Sequence, residues 1–455
     1  MDVTRRNLVA SLGASAAFGA ISVPLRAHAA PLVSTMGRDA TQYGVRPNAT
    51  DDQTRVLQRA ITEAAGARMP LALPPGTYRT GMLDLPNGAQ IVGVRGATRL
   101  QLTGGPSLLT SQGADHIGVS GLTLDGGNLP LPDRRGLLHC LGGRDLRITD
   151  CEILHSGRNG IWMENMSGEV RGNMLRKIAT TAIVSLDALG LLVASNTIID
   201  TSDNGIEILR TAIGGDGTMV IDNRIEDIKA GPGGSGQHGN AINAFRAGNV
   251  IVRGNRIRNC DYSGVRGNSA SNIQIIGNSI SDVREVALYS EFAFEGAIIA
   301  NNTVDICATG VSVCNFNEGG RLAVVQGNIL RNILPKRPIG TAPDDDGGVG
   351  IYIEADSSVI GNVIENAPSF GIVAGWGKYL RDVAITGNVI RNAFIGIGVS
   401  VVEGAGSTLV RDNVIASAAR GAIVGLDHAR PVTNDLAVAG ASGFPQLVLD
   451  GNLVH

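Results

Sequence analysis

One short pattern recurs along this chain. "VRGNRIRN" begins at Val252, "IIGNSISD" at Ile275, "IANNTVDI" at Ile299, "VQGNILRN" at Val325, "VIGNVIEN" at Val359 and "ITGNVIRN" at Ile385. With the Asn as origin, the series is Asn173, Asn196, Asn223, Asn255, Asn278, Asn302, Asn328, Asn362, Asn388, Asn413 and Asn452. A period of roughly two dozen residues is that of a solenoid. Each unit carries three short alternating segments. One starts just after the Asn, and one follows a Gly-apolar-x-apolar signature such as "GIEI" at Gly205 or "GIYI" at Gly350. The third runs into the next Asn. Polar or Gly corners separate them, and no helical period intervenes. The pattern predicts an all-β, right-handed parallel β-helix with three short strands per coil.

The Asn then has a structural task. Copies stacked about 4.8 Å apart can donate and accept along the axis, and the expectation is that Asn itself takes the left-handed corner. The residues five after each Asn, among them Ile178, Thr201, Cys260, Val283 and Cys307, read as one inward column. Cys260 and Cys307 are two coils apart in it, beyond disulfide reach. Together with Cys140, Cys151 and Cys314 they form an odd count that implies no full disulfide framework.

The two ends of the chain read differently. Residues 1–29 have the plan of a signal peptide. "TRRNLVA" from Thr4 is followed by a short apolar run to Val23 and the small-residue site Ala27 to Ala29. The paired Arg5 and Arg6 resemble a twin-arginine (Tat) signal. This implies passage through the Tat translocase, a periplasmic or secreted location, and no membrane span after processing. Tat export also permits a cofactor loaded before export. Residues 30–70 are expected to form a lead-in and N-terminal capping helix, with Tyr43 to Gly66 as the one clear helical stretch. Asp51 or Thr50 is expected to cap it, and Val56, Leu57, Ala60, Ile61 and Ala64 share a face. Residues 71–455 form the β-helix. A formal net charge of −3 and the absence of a basic run argue against a nucleic-acid partner.

The lead-in combines an aromatic-Gly pair, an Asp pair, an Ala-rich helix and "LPPGTY". It resembles the entry segment of the pectate-lyase-like superfamily, which includes polygalacturonases. With the Tat-type leader, the repeats also resemble a bacterial family of twin-arginine-translocated repeat proteins of unknown function. The second resemblance covers most of the chain and implies fold and export but no established reaction. A polygalacturonase would add clustered aspartates with Gly-His-Gly and Arg-x-Lys segments. "SDNG" at Ser202, "QHGN" at Gln237 and "RGN" at Arg266 do not reproduce them.

Chemistry is sought on the outward positions of the second strand. Up the stack these are Trp162, Val184, Glu207, Asn243, Arg266, Tyr289, Ser312 and Tyr352, with Glu164, Phe245, Glu291 and Glu354 two residues further on. Carboxylates, amides, phenols and a guanidinium at one-coil spacing suit a uronate-containing, acidic polysaccharide or cell-envelope glycan. His238 or Tyr289 is a candidate base, Arg266 a clamp for a uronate carboxylate, and Glu207 or Glu291 a donor. Asp203, Asn243, Tyr352 and Glu354 are candidate binding residues. The loops Lys229 to Asn240 and Leu334 to Gly348 should overhang this face. His238 is expected beside Glu207 or Asn243. The triplet Asp344 to Asp346 offers Ca²⁺ chemistry or a solvated loop, and three adjacent carboxylates cannot all point at one ion. The functional expectations are therefore a lyase, C5-epimerase or hydrolase, or a non-catalytic cell-envelope binding or scaffold protein. The enzyme reading requires Arg266, Tyr289 and a carboxylate to converge; a flat strip with both loops folded away would favour the scaffold. A bound metal lacks a His/Cys cluster to support it.

Overall fold

The computed structural model describes residues 37–233, 236–338 and 346–455. The signal segment, Asp344 and Asp345 lie outside the described residues. Short parallel strands wind through about 14 turns of an all-β solenoid, consistent with a right-handed β-helix. Each strand pairs with its equivalent one coil away. The series Ile161, Ile183, Ile206, Ile242 and Val265 is one continuous column. Inward residues of all three strands form one aliphatic core. Ile178, Thr201, Ile228, Cys260 and Val283 are paired in register within it, as the spacing predicts. All five cysteines are free.

The Asn ladder is continuous. Asn255 shows the pattern: its N–H and its Nδ2 both donate to Oδ1 of Asn278, each at 3.0 Å. The same Nδ2 donates to Val220 O of the coil before, at 2.9 Å. Equivalent bonds run from Asn173 to Asn452. One amide therefore satisfies backbone groups that would otherwise be buried unpaired.

The left-handed corner is not where it was expected. No ladder Asn has a positive φ; the residue before it does, as at Gly254 (φ 68°), Gly277 (φ 66°) and Asp222 (φ 56°). Asn is kept for its amide and Gly for its backbone, which is why the two are written side by side. A second left-handed corner sits four residues after each ladder Asn from Asn173 to Asn413, at Asp227, Asn259, Asp282, Asn332 and Asn366 among others. There a shorter outer ladder forms. Asn366 Nδ2 donates to Asn332 Oδ1 at 2.9 Å, and Asn392 Nδ2 to Asn366 Oδ1 at 2.7 Å.

The helix is shorter than the sequence suggests. It spans Thr54–Gly66 (α1), and a separate 3-10 turn covers Ala40–Tyr43. Neither Thr50 nor Asp51 caps it: Asp51 is drawn to Arg46, and Asp52 Oδ1 accepts the Thr54 N–H at 2.9 Å. Leu57, Ala60, Ile61 and Ala64 are buried in the same core as the coils, with Val56 at its margin. Among the described residues, no helix is long and apolar enough to cross a membrane.

Candidate functional site

The second-strand column is built as its spacing requires. Trp162, Val184, Glu207, Asn243, Arg266, Tyr289, Ser312 and Tyr352 are successive Cα partners at one-coil steps. Although these side chains leave the core, the face is not open. Asn243, Arg266, Tyr289 and Glu291 are all buried. The described part of the Lys229–Asn240 loop lies directly on it, through Gly236, Gln237 and His238.

The strip resolves into three clusters. At the first, Asn204 Nδ2 lies 3.0 Å from Asp203 Oδ1 and 2.9 Å from Glu207 Oε1. Those two carboxyl oxygens are thus within about 6 Å of one another. His238 Nδ1 is 2.8 Å from Asp203 Oδ1, so His238 is held by Asp203 rather than by Glu207 or Asn243 directly. Thr181 Oγ1 donates to Glu207 Oε2 at 3.3 Å. Burial, then the neighbouring Asp203 charge, pushes the Glu207 pKa up to about 7, against the hydrogen bonds from Thr181 and Asn204. Burial also raises Asp203, with His238 opposing the rise.

The second cluster is an internal ion-pair network. Arg266 Nε donates to Glu291 Oε1 at 2.6 Å and its Nη1 to Gly236 O. Asn268 Nδ2 also donates to Glu291, at 3.0 Å. The guanidinium carbon lies 5.5 Å from the Tyr289 ring centroid. Arg266, Tyr289 and a carboxylate do converge, but upon one another. Glu207 and Arg266 stand two coils apart in the column, with Asn243 on the coil between them. Burial holds the Tyr289 hydroxyl protonated, well above its ordinary range, so it is poorly suited to act as a base. At the third cluster Tyr352 Oη donates to Glu354 Oε1 at 2.7 Å, and Phe316 N–H donates to Oε2 at 2.6 Å.

Several participants escaped the sequence reading. Asn204 accepts from the Asn240 backbone N–H at 2.8 Å and from its side-chain amide at 3.1 Å, forming a short ladder beneath the site. Glu285 is buried and accepts from Ser263 Oγ at 2.7 Å. Both lie in the corner before the second strand, outside the columns that its alternation defines. Asn243 Oδ1 is buried with no hydrogen-bond partner among the described residues, placing an unspent acceptor between Glu207 and Arg266. No group of three His, Cys, Asp or Glu side chains among the described residues is placed to hold a metal ion.

The family model of the right-handed beta helix region matches residues 112–233 and 211–382, together more than half of the chain. The chain belongs to the right-handed β-helix family. This β-helix is similar to the N-terminal fragment of bacteriophage phi29 gene product 12. The identity is 14% and the TM-score 0.54, over 86% of this chain and 69% of that one. It is similar, too, to the A-module of an Azotobacter vinelandii mannuronan C-5 epimerase (14% identity, TM-score 0.42, 92% and 99% covered). A third is the catalytic unit of a Streptomyces thermodiastaticus GH87 α-1,3-glucanase (15% identity, TM-score 0.44, 91% and 68% covered). At these identities the likeness is one of fold. No curated protein matches the sequence.

Proposed function

We propose that this β-helix binds an acidic polysaccharide along the Glu207–Glu354 face and modifies it by acid–base chemistry at Asp203, Glu207 and His238. The observation that carries the reading is the Asn204 amide shared by two carboxyls, one of which also holds an imidazole. The environment sets the two carboxyls apart. Glu207 retains its proton near neutrality, while Asp203 faces the imidazole and orients it. That is the division an acid and a base require.

In this reading His238, steadied through Nδ1, presents Nε2 to take the proton beside a uronate carboxylate, and Glu207 donates to the departing oxygen or to the opposite face. The outcome is a lyase or a C5-epimerase. The close Asp203–Glu207 approach favours a second reading, glycoside hydrolysis by the carboxyl pair. A non-catalytic envelope scaffold does not call for a loop pinned to the strip or a carboxyl tuned to neutrality. An exported, extracytoplasmic location remains part of this proposal and rests on residues 1–29.

The test is incubation of the purified chain with pectate, alginate and hyaluronan. A lyase yields products that absorb in the ultraviolet. A hydrolase raises reducing ends without that absorbance, and an epimerase alters the NMR signature of the uronates at constant chain length. Binding with none of these changes in any polymer would return the protein to the scaffold class.

A further inference from the structure

The guanidinium expected to clamp a uronate, Arg266, is consumed by Glu291 and Gly236. A different set of arginines lies on the other side of the acid–base cluster. The loop from Gly126 to Arg135 enters just before the second strand of its coil, at the position that the Lys229–Asn240 loop occupies higher in the stack. Its end is anchored, since Arg135 O accepts from Asn159 Nδ2 at 2.9 Å. The Arg134 guanidinium lies 5.7 Å from the Trp162 ring centroid. Arg158 pairs with Asp133 of the same loop. Among the described residues, no hydrogen bond or ion pair engages the guanidinium of Arg134 or Arg135. Of these arginines, Arg134 stands over Trp162, the Arg135 charge is felt by His139, and Arg158 is the one in direct contact with a carboxylate, Asp133.

The position relative to the chemistry is set by register. Arg158 precedes Asn159 as Asp203 precedes Asn204, and the strands that follow are two coils apart. The separation along the axis is therefore about 9.6 Å, the reach of a short oligosaccharide. Burial raises the Asp203 pKa, and the charge of Arg158 is among the influences that oppose the rise, so the two sites share one field. A second, independent feature lies beneath the arginines. His139 is the register neighbour of Trp162 and is only 3% exposed, yet its Nδ1 has no hydrogen-bond partner. Burial and then the Arg135 charge lower its pKa to about 4, so the ring beside these arginines stays neutral and adds no positive charge to them.

We infer that Arg134, Arg135 and Arg158, on the loop and corner flanking Trp162, form the subsite that binds the anionic substituent of the glycan, N-terminal to the Asp203–Glu207–His238 cluster. Guanidinium groups match carboxylates bidentately and carry less hydration than an ammonium, so they suit this task. The inference rests on the proposed glycan-binding role of the face but can fail separately from it.

The test measures binding rather than turnover. Glu207→Gln serves as the parent, so that polymer is not consumed, and is titrated with pectate, alginate and neutral dextran at two salt concentrations. Arg135→Ala/Arg158→Ala in that parent should bind both polyuronates at least tenfold more weakly and with a shallower salt dependence. Its melting temperature should stay close to that of the parent, and Arg135→Lys/Arg158→Lys should recover part of the affinity. Arg256→Ala, an exposed arginine elsewhere on the coils, should bind as the parent does. Unchanged polyuronate affinity in the double alanine variant, or an equal loss in Arg256→Ala, overturns the subsite and leaves the role of the face standing. A parent that binds dextran but neither polyuronate also overturns it. A parent that binds none of the three polymers removes the wider reading itself.

Discussion

Glu207 sits where a carboxyl is removed from water beside a second carboxyl, and both effects penalise its charged form. Its pKa of about 7 makes two predictions. As a general acid it must be protonated, so kcat/KM on a responsive polymer should fall about tenfold per pH unit above about 7. Glu207→Gln should lower turnover by roughly 10²–10⁴ and remove that limb, read from pH–rate profiles of the two proteins. The second prediction concerns stability. The folded-state pKa lies above the ordinary 4.5, so folding is favoured by the protonated form. The stabilisation is whole below about 4.5 and is lost as pH rises to about 7. The cost of ionisation above 7 is on the order of 3 kcal/mol. Urea midpoints should therefore place Glu207→Gln above the parent at pH 8, with the gap closing toward pH 4.5. Glu207 was singled out from its column alone. Its tuning is not legible in the repeat, because it comes from burial and from the charge of Asp203, which lies in the corner before the strand. For Arg266 the column gives the position but not the partner within the chain, since Glu291 is one coil up and two residues along.

At the scale of the element, the ladder makes the sharpest claim. Asn278→Ala would strand the Asn255 N–H, leave the Asn255 Nδ2 with Val220 O alone, and free the Val252 carbonyl that its own Nδ2 serves. Each buried group left unpaired costs about 1–3 kcal/mol, so a loss of about 2–6 kcal/mol is expected from chemical denaturation. Asn278→Asp keeps the acceptor and loses the donor, and should fall between the two. Gly277→Ala tests the corrected assignment of the corner. It places a side chain at φ 66°, and should cost about 1–2 kcal/mol. The ladder was legible in the sequence because one amide recurs at each turn. The division of labour between Gly and Asn was not, since a dipeptide pattern does not say which member carries the strained dihedral. The extent of α1 was misjudged for a related reason. Asp52 and Gln53 are spent on the fold around them, Asp52 on Thr54 and Thr103, and Gln53 on Arg46, rather than on extending the helix.

Across the whole molecule, stability is the sum of many similar interfaces between neighbouring coils, with no covalent staple among them. All five cysteines are free, and Cys140, Cys151, Cys260 and Cys307 are buried. Burial raises their pKa values: that of Cys140 goes to about 12, as does that of Cys151, where the Asp150 charge adds to the rise. A reductant should therefore leave the melting temperature unchanged. Thiol labelling of the native protein should be slow and should accelerate only as the coils open, followed by a chromogenic disulfide reagent across a denaturant series. What the sequence determined by itself was the coil, its period, the inward column and the identity of outward neighbours, because a parallel stack turns a fixed spacing into vertical contact. What the tertiary structure alone decided was which neighbours are consumed by each other and which remain to meet a ligand. That depends on loops of unequal length, such as Gly126 to Arg135 and Lys229 to Asn240. Their paths over the face follow from side-chain packing and hydrogen bonding rather than from the repeat, and the period carries no record of them.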